Sequence, residues 1–182
     1  RLSDWLLQQN PAPDDYPLGV SWRVPEEVPV QTMVKLELVS ALVPGQRGVS
    51  TDAAAVKRMR DWLSGLPVTG RVPITSGDGR WLQVNPRYDP ILMPGQSLVM
   101  PRRPRTVTVV TSNGSPCTVV HQAGREARDY IAACAPGDGV DWVWIAQPDG
   151  RVQRVGVAVW NRQQQDEPAA GAWIWAPGRR AG

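Results

Sequence analysis

The sequence predicts an α+β fold made of two copies of one small module. Residues 89–101 and residues 167–177 both begin with an acid followed by proline, and both end in glycine, five residues and proline. In each copy an apolar strand lies between that glycine and the closing proline. The 17 glycines, 18 prolines and absence of phenylalanine in 182 residues indicate many short strands and turns rather than long helices.

Residues 104–182 are predicted to form the second module, whose order of strands and helix is clearer from the sequence than that of the first. Residues 105–111 are a β-branched run, and the turn at Asn113-Gly114 predicts a hairpin with residues 117–121. Segment 124–134 has apolar residues at helical spacing, which predicts a helix. Further strands are predicted at residues 141–146, 151–160 and 172–176.

Residues 1–103 are predicted to form the first module. Segments 2–7 and 19–22 align with the helix and the following strand of the second module, and the closing strand is expected at residues 97–100. Because the aligned helix begins at residue 2, we expect the hairpin that precedes the helix in the second module to be missing from the first through truncation of the N-terminus. Further strands are predicted at residues 71–74 and 81–84, with Gly77-Asp78-Gly79 as a hairpin turn.

The first module also carries a helical-pair insertion at about residues 31–66. Segments 31–43 and 51–66 read as helices, and residues 44–48 as the turn between them. Packing of this pair on its own module is the favoured interpretation, and a partner-binding face is the alternative.

The charge is weakly basic and unevenly placed. The net charge is +3, and residues 102–182 hold ten basic and seven acidic side chains, so the surplus lies in the second half. No run of lysine and arginine occurs, which favours a solvated surface over nucleic-acid binding, although an anionic glycan also suits such a surface. No apolar stretch is long enough for a membrane span. The start at Arg1 without methionine fits a protein whose signal peptide has been removed.

The sequence offers little for catalysis. His121 is the only histidine, and it lies on a predicted strand, where packing is the commoner role. Acids such as Asp78 and Asp149 stand in predicted turns, although a glycosidase would need only two carboxylates. We therefore predict no catalytic residue, no metal site and no cofactor.

Cys117 and Cys134 are predicted to form a disulfide. The return strand from Cys117 covers about 20 Å, and the helix covers about 15 Å back across the sheet, which brings Cys134 near Cys117. Two buried free thiols are the alternative. A disulfide would place the protein in an oxidising compartment.

The nine tryptophans are the other feature of the sequence that bears on the core and on ligand binding. Trp142 with Trp144, and Trp173 with Trp175, stand at alternating positions, so each pair shares a sheet face, and one pair is expected to fill the core. Trp81 beside Arg80 is a candidate sugar-stacking platform, with burial in the core as its alternative. The candidate ligand-binding residues are Arg71, Arg80, Trp81 and Arg87.

Four stretches resemble the GfcC-like family of capsule and exopolysaccharide biosynthesis proteins: residues 1–6, residues 57–73, residues 89–101 and residues 141–161. The resemblance implies two β-grasp modules of the soluble-ligand-binding type, the first with the helical insertion. It also implies a periplasmic protein of Gram-negative bacteria, encoded with polysaccharide export machinery and without enzymatic activity.

From these observations we expect a monomeric, non-enzymatic periplasmic protein that assists capsule or exopolysaccharide biosynthesis and export. Its expected partner is the polysaccharide or the outer-membrane export complex, not nucleic acid. Two alternatives remain open: a polysaccharide-modifying enzyme with paired carboxylates, and an adaptor that binds only protein through the insertion.

Overall fold

The computed structural model describes residues 1–47, 49–137 and 139–178, and this part of the chain contains two β-sheets with helices packed on them. The helices are α1 (Leu2–Gln8), α2 (Glu27–Ala41), α3 (Ala53–Gly65), α4 (Gly79–Val84) and α5 (Ala127–Cys134). The strands are β1 (Ser21–Arg23), β2 (Arg71–Val72), β3 (Ser97–Val99), β4 (Thr106–Thr111), β5 (Pro116–Val120), β6 (Trp142–Ala146), β7 (Val152–Gly156) and β8 (Trp173–Ala176).

The second sheet has the order β5-β4-β8-β6-β7. Strands β4 and β8 are parallel, and every other pair is antiparallel. Helix α5 crosses one face, where Tyr130 is fully buried against the apolar residues of the strands. This arrangement of a hairpin, a crossing helix and a central parallel pair is the β-grasp fold that the family resemblance implies.

The first sheet has the order β2-β1-β3, in which β1 is antiparallel to both neighbours. The order repeats half of the second sheet, because β7-β6-β8 has the same antiparallel pairing and α1 precedes β1 as α5 precedes β6. The repeated closing segments become β3 and β8. The predicted α+β fold class is therefore confirmed, while the module boundary at residues 103 and 104 stays a prediction.

The repeated acid-proline pair has a structural reason. Asp89 accepts hydrogen bonds from the backbone N–H and the hydroxyl of Ser3, at 2.9 and 2.6 Å. In the second copy, Glu167 accepts a hydrogen bond from the backbone N–H of Gly124 at 2.7 Å, just before α5. In both copies the acid thus fixes the closing segment to the start of the crossing helix.

The insertion forms helices α2 and α3 and touches the second sheet. Helix α3 begins at Asp52, whose carboxylate accepts a hydrogen bond from the backbone N–H of Ala54 at 2.9 Å. Gly114 lies so close to α3 that an added Cβ would be 2.0 Å from the carbonyl oxygen of Ala55, and its φ of +81° also requires glycine. Arg58 donates from Nε to the carbonyl oxygen of Asn113 at 2.9 Å. Helix α3 therefore joins the two halves of the chain.

The expected strand at residues 81–84 is wrong, because these residues lie in helix α4. Asp78 accepts hydrogen bonds from the backbone N–H groups of Arg80 and Trp81 at 2.9 and 3.3 Å, so it caps a helix start. The expected hairpin turn at residues 77–79 is wrong for the same reason.

The expectation that one tryptophan pair fills the core is also wrong. The alternating residues Val143, Ile145 and Ile174 face α5 and are at most 1% exposed. Both tryptophan pairs therefore lie on the opposite face of the second sheet. The core beneath α5 is filled by β-branched residues and Tyr130 instead.

Candidate functional site

Trp81 and Tyr88 form an exposed aromatic stack. Their ring centroids are 5.6 Å apart with an interplanar angle of 28°. Each side chain is 37% exposed, so the stack is reachable from solvent. The guanidinium of Arg87 lies 4.5 Å from the centroid of the Tyr88 ring. Trp81, Tyr88 and Arg87 are called the Trp81–Tyr88 platform below.

Helix α4 holds one side of this platform. Leu82 is fully buried against the core of the first sheet, and the Asp78 cap fixes the first turn. Gly79 lets α4 approach α1 closely, because an added Cβ would lie 2.9 Å from Leu7 Cγ and 3.1 Å from the carbonyl oxygen of Ser3. Trp81 is therefore carried on a helix with little freedom to move.

The segment after α4 fixes Tyr88. Asn85 donates from Nδ2 to the carbonyl oxygen of Trp81 at 2.8 Å, and its own carbonyl accepts from the backbone N–H of Tyr88 at 2.9 Å. A single 3-10 turn, Pro86–Tyr88, follows, and proline suits its first position because φ is already set. These bonds set the separation between the two rings.

The buried carboxylate of Asp89 ends this segment. Burial raises the pKa of Asp89, but the hydrogen bonds from the hydroxyl and backbone of Ser3, together with the charge of Arg1, outweigh burial and hold the pKa below its ordinary value. Arg1 also donates from Nη1 to the carbonyl oxygen of Asp89 at 2.7 Å. An ionised Asp89 therefore anchors the platform to α1.

The four predicted ligand-binding residues do not lie together. Arg87 and Trp81 belong to the platform, and Arg80 is exposed on the same helix as Trp81. Arg71 lies elsewhere: it donates from Nη2 to the carbonyl oxygens of Val20 and Pro148. Tyr88 was not among the predicted ligand-binding residues. It lies seven residues after Trp81 and outside α4, so the sequence does not pair the two residues until α4 and the turn after it are known.

Arg71 is a contact between the two halves of the chain. Burial lowers its pKa from the ordinary value, an effect that Asp149 opposes and Arg23 reinforces. Asp149 is 6% exposed and accepts from Arg151 Nε at 2.7 Å. A half-buried guanidinium bonded to backbone carbonyls has a structural role whether or not it also meets a ligand.

A shallow depression of about 320 Å³ has a lining that includes Tyr16, Arg103, His121 and Glu167. The guanidinium of Arg103 is 5.4 Å from the centroid of the Tyr16 ring, and burial raises the pKa of Tyr16. Glu167 is the single carboxylate among the described lining residues, so the depression does not present the carboxylate pair that a glycosidase uses.

The described residues include no group of three or more histidine, cysteine or acidic side chains placed to hold a metal ion. Within the same residues, no helix is both long and apolar enough to cross a membrane.

The expected disulfide is confirmed. Cys117 on β5 is bonded to Cys134 at the end of α5, and their Cα atoms are 6.0 Å apart. The bond ties the edge of the second sheet to the crossing helix. Disulfides persist mainly in oxidising compartments, so this bond fits an extracytoplasmic protein.

Helix α2 carries its apolar residues on the outside. Its inward stripe is partly polar: Gln31 donates from Nε2 to the carbonyl oxygen of Arg71 at 2.8 Å, and Lys35 donates from Nζ to that of Ser64 at 2.6 Å. Val28 and Val39 are half-buried, but the other five large apolar side chains of α2 are between 49% and 58% exposed. These five are Val30, Met33, Val34, Leu36 and Leu38.

Comparison with known proteins agrees with the family resemblance. Residues 115–179 match the family model described as "Capsule biosynthesis GfcC C-terminal". The "Uncharacterized protein YjbG" of Escherichia coli (strain K12) is 32% identical over 133 residues, which cover 72% of this chain and 54% of that protein. The chain thus spans about half the length of this curated relative.

Proposed function

We propose that this protein assists capsule or exopolysaccharide biosynthesis and export. The premise is that residues 115–179 belong to the GfcC C-terminal family of capsule biosynthesis proteins. It binds the polysaccharide and catalyses no reaction on it. It acts in the periplasm, which the disulfide supports.

The observation that carries this proposal is the exposed stack of Trp81 on Tyr88, with Arg87 beside it. Aromatic rings offer a large apolar surface with few rotatable bonds, and the C–H face of a pyranose ring packs against such a surface. The guanidinium supplies donors for sugar hydroxyls or carboxylates. Because α4 and Asp89 already fix the rings, little side-chain entropy is lost on binding.

The test is calorimetric titration of the protein with polysaccharide purified from its source organism. Trp81→Ala is expected to weaken binding about tenfold, since tryptophan is a frequent anchor of binding energy. Val84→Ala is the matched control, because Val84 is 78% exposed near the end of the same helix. Equal affinity of the Trp81→Ala variant and the wild type, with unchanged folding, would remove the platform from the proposal.

A second candidate function is favoured by helix α2. Apolar residues at spacings of three and four along an exposed helix are the pattern of a helix that docks into an apolar groove of a protein partner. On this reading the chain is an adaptor for the export complex. Met33→Gln combined with Val34→Gln is expected to abolish co-purification with the export complex and to leave polysaccharide binding intact. If the double variant lost polysaccharide binding but still co-purified with the export complex, the result would favour polysaccharide binding by the platform instead.

A further inference from the structure

Most of the tryptophans gather on the face of the second sheet that is turned away from α5. Trp144 on β6 lies opposite Trp175 on β8, and Trp173 lies opposite Ala146. Trp160 meets the ring of Trp142 edge to face, at a centroid distance of 6.5 Å. The indole face is defined here as Trp142, Trp144, Trp160, Trp173 and Trp175.

The indole face is partly covered at one end and open at the other. Trp62 of α3 packs against Trp173 with ring centroids 5.4 Å apart, and Trp173 still remains 39% exposed. Toward β6 and β7 the face is open, with Trp144 36% exposed and Trp160 69% exposed. The core beneath α5 does not use these rings, and contiguous exposed aromatic surface of this kind marks binding sites.

Arg154 lies within this face. It pairs with Trp144 across the β6–β7 ladder. Its guanidinium is 4.2 Å from the ring centroid of Trp142 and 5.4 Å from that of Trp144. Among the described residues, the guanidinium of Arg154 has no hydrogen bond or ion pair with a side chain or a carbonyl oxygen. The indoles hold the guanidinium by cation–π attraction and leave its N–H donors to a ligand.

Trp160 is held at the open end by its own loop. Its Nε1 donates to Asp141 Oδ1 at 3.3 Å, and Asn161 donates from Nδ2 to the carbonyl oxygen of Asp141 at 2.9 Å. The loop lies against Gly156, where an added Cβ would be 2.0 Å from the carbonyl oxygen of Asn161. The loop is therefore built to place an exposed indole beside the sheet.

We propose that the indole face binds an extended segment of an acidic polysaccharide. The carboxylate of a uronic acid or similar sugar accepts hydrogen bonds from Arg154, and neighbouring sugar rings stack on Trp144 and Trp173. The planar guanidinium matches a carboxylate in two parallel hydrogen bonds, which a neutral sugar does not offer.

Two further observations favour this ligand. Trp144 and Trp173 are diagonal neighbours on β6 and β8, which strand geometry places about 7–8 Å apart, a spacing on the scale of one to two sugar rings. Residues 102–182 also carry ten basic and seven acidic side chains, so this half of the chain attracts a polyanion. The indole face is separate from the Trp81–Tyr88 platform, so either proposal can fail alone.

The experiment titrates the whole chain with oligogalacturonate and with maltooligosaccharide of equal length. The wild type is expected to bind oligogalacturonate and to prefer it. Arg154→Gln is expected to weaken oligogalacturonate binding about tenfold and to remove the preference, since charge-assisted pairs are the strong ones. Arg125→Gln removes the same charge from an exposed position and is expected to bind as the wild type does.

Trp144→Ala is expected to weaken binding of both sugars. Should Trp144→Ala fail to fold, the comparison of Arg154→Gln with Arg125→Gln decides the question. Two results overturn the proposal: no binding of oligogalacturonate by the wild type, or equal binding by the two arginine variants. Loss of binding only in Trp81→Ala assigns the sugar to the platform instead.

Discussion

Replacement of Asp89 tests how the closing strand of the first sheet is fixed to α1. Asp89 is 5% exposed and Ser3 is 1% exposed, so neither group of this pair is hydrated. Each hydrogen bond to a charged group contributes about 1.5–3 kcal/mol, and Ser3 donates two. Asp89→Ala is therefore expected to lower the free energy of unfolding by about 3–5 kcal/mol. At about 2–4 °C per kcal/mol for a chain of this size, the melting temperature falls by roughly 10 °C.

The stability that Asp89 contributes is present at neutral pH and is lost at low pH. The pKa of Asp89 lies below its ordinary value in the folded protein. A carboxylate with a lowered folded pKa contributes stability that is fully present above the unfolded pKa of about 3.9 and is lost as the pH falls through the folded pKa. Asp89→Asn, which keeps the shape and removes the charge, is therefore expected to show its full deficit at pH 7. That deficit shrinks below about pH 4.

The assay is urea unfolding followed by circular dichroism between pH 3 and pH 7. Asp61→Asn is the control, because Asp61 forms an exposed pair with Lys57 and such pairs contribute about 0.5 kcal/mol. Combining Ser3→Ala with Asp89→Ala is expected to cost less than the sum of the two single changes, since the buried hydroxyl is then removed together with its acceptor and only the backbone N–H of residue 3 loses its partner. A deficit of Asp89→Asn that is the same at pH 3 and pH 7 would refute the reasoning.

The disulfide and one glycine contact give two further predictions. Replacing Cys117 and Cys134 with serine is expected to lower stability by about 3 kcal/mol for their sequence separation of 17, so the wild type in reductant should melt like the variant. Equal melting of the wild type with and without reductant would contradict this. Gly79→Ala is expected to cost roughly 1–3 kcal/mol because α4 must move away from α1. Gly65→Ala meets no atom within 4 Å and is expected to be neutral or slightly stabilising, so equal urea midpoints for the two variants would count against the contact.

The closing strands were predictable because both of their ends are set by local chemistry. Gly95 and Gly171 have φ of +87° and +85°, which glycine adopts without strain, and a proline ends each segment. The partner of each acid is not local, since Asp89 bonds to Ser3 at a separation of 86 residues and Glu167 to Gly124 at a separation of 43, so only the glycine-to-proline strand could be read from the sequence. Local signals of this kind survive in the sequence because no distant residue is needed to read them.

Helix α4 was not predictable in the same way. Three of the four residues at 81–84 are large and apolar, including an aromatic and a β-branched residue that favour a strand, and a helix of six residues is too short to show its own period. The carboxylate of Asp78 decides the outcome by capping the first turn. The assignment of α4 in turn decides that Trp81 and Tyr88 share a surface, which is why Tyr88 was missed.

The tryptophan pairs show a different limit of prediction from the sequence. Alternation places Trp142 and Trp144 on one face of β6, but it carries no information on which face is buried. That choice depends on Tyr130 and the rest of α5, which fill one side of the sheet. Arg71 is similar, since its partner Pro148 lies 77 residues away. Both outcomes depend on contacts between distant segments.

The insertion therefore affects both halves of the chain. Its helix α3 bonds to the turn at Asn113 and lays Trp62 on Trp173, so it sets one end of the indole face. Gly114 cannot accept a side chain without moving α3, which ties the position of the helix to the second sheet. An insertion that served only to present α2 would not need these contacts. The helical pair thus has two separable roles: α3 limits the surface on the second sheet, and α2 offers a surface of its own.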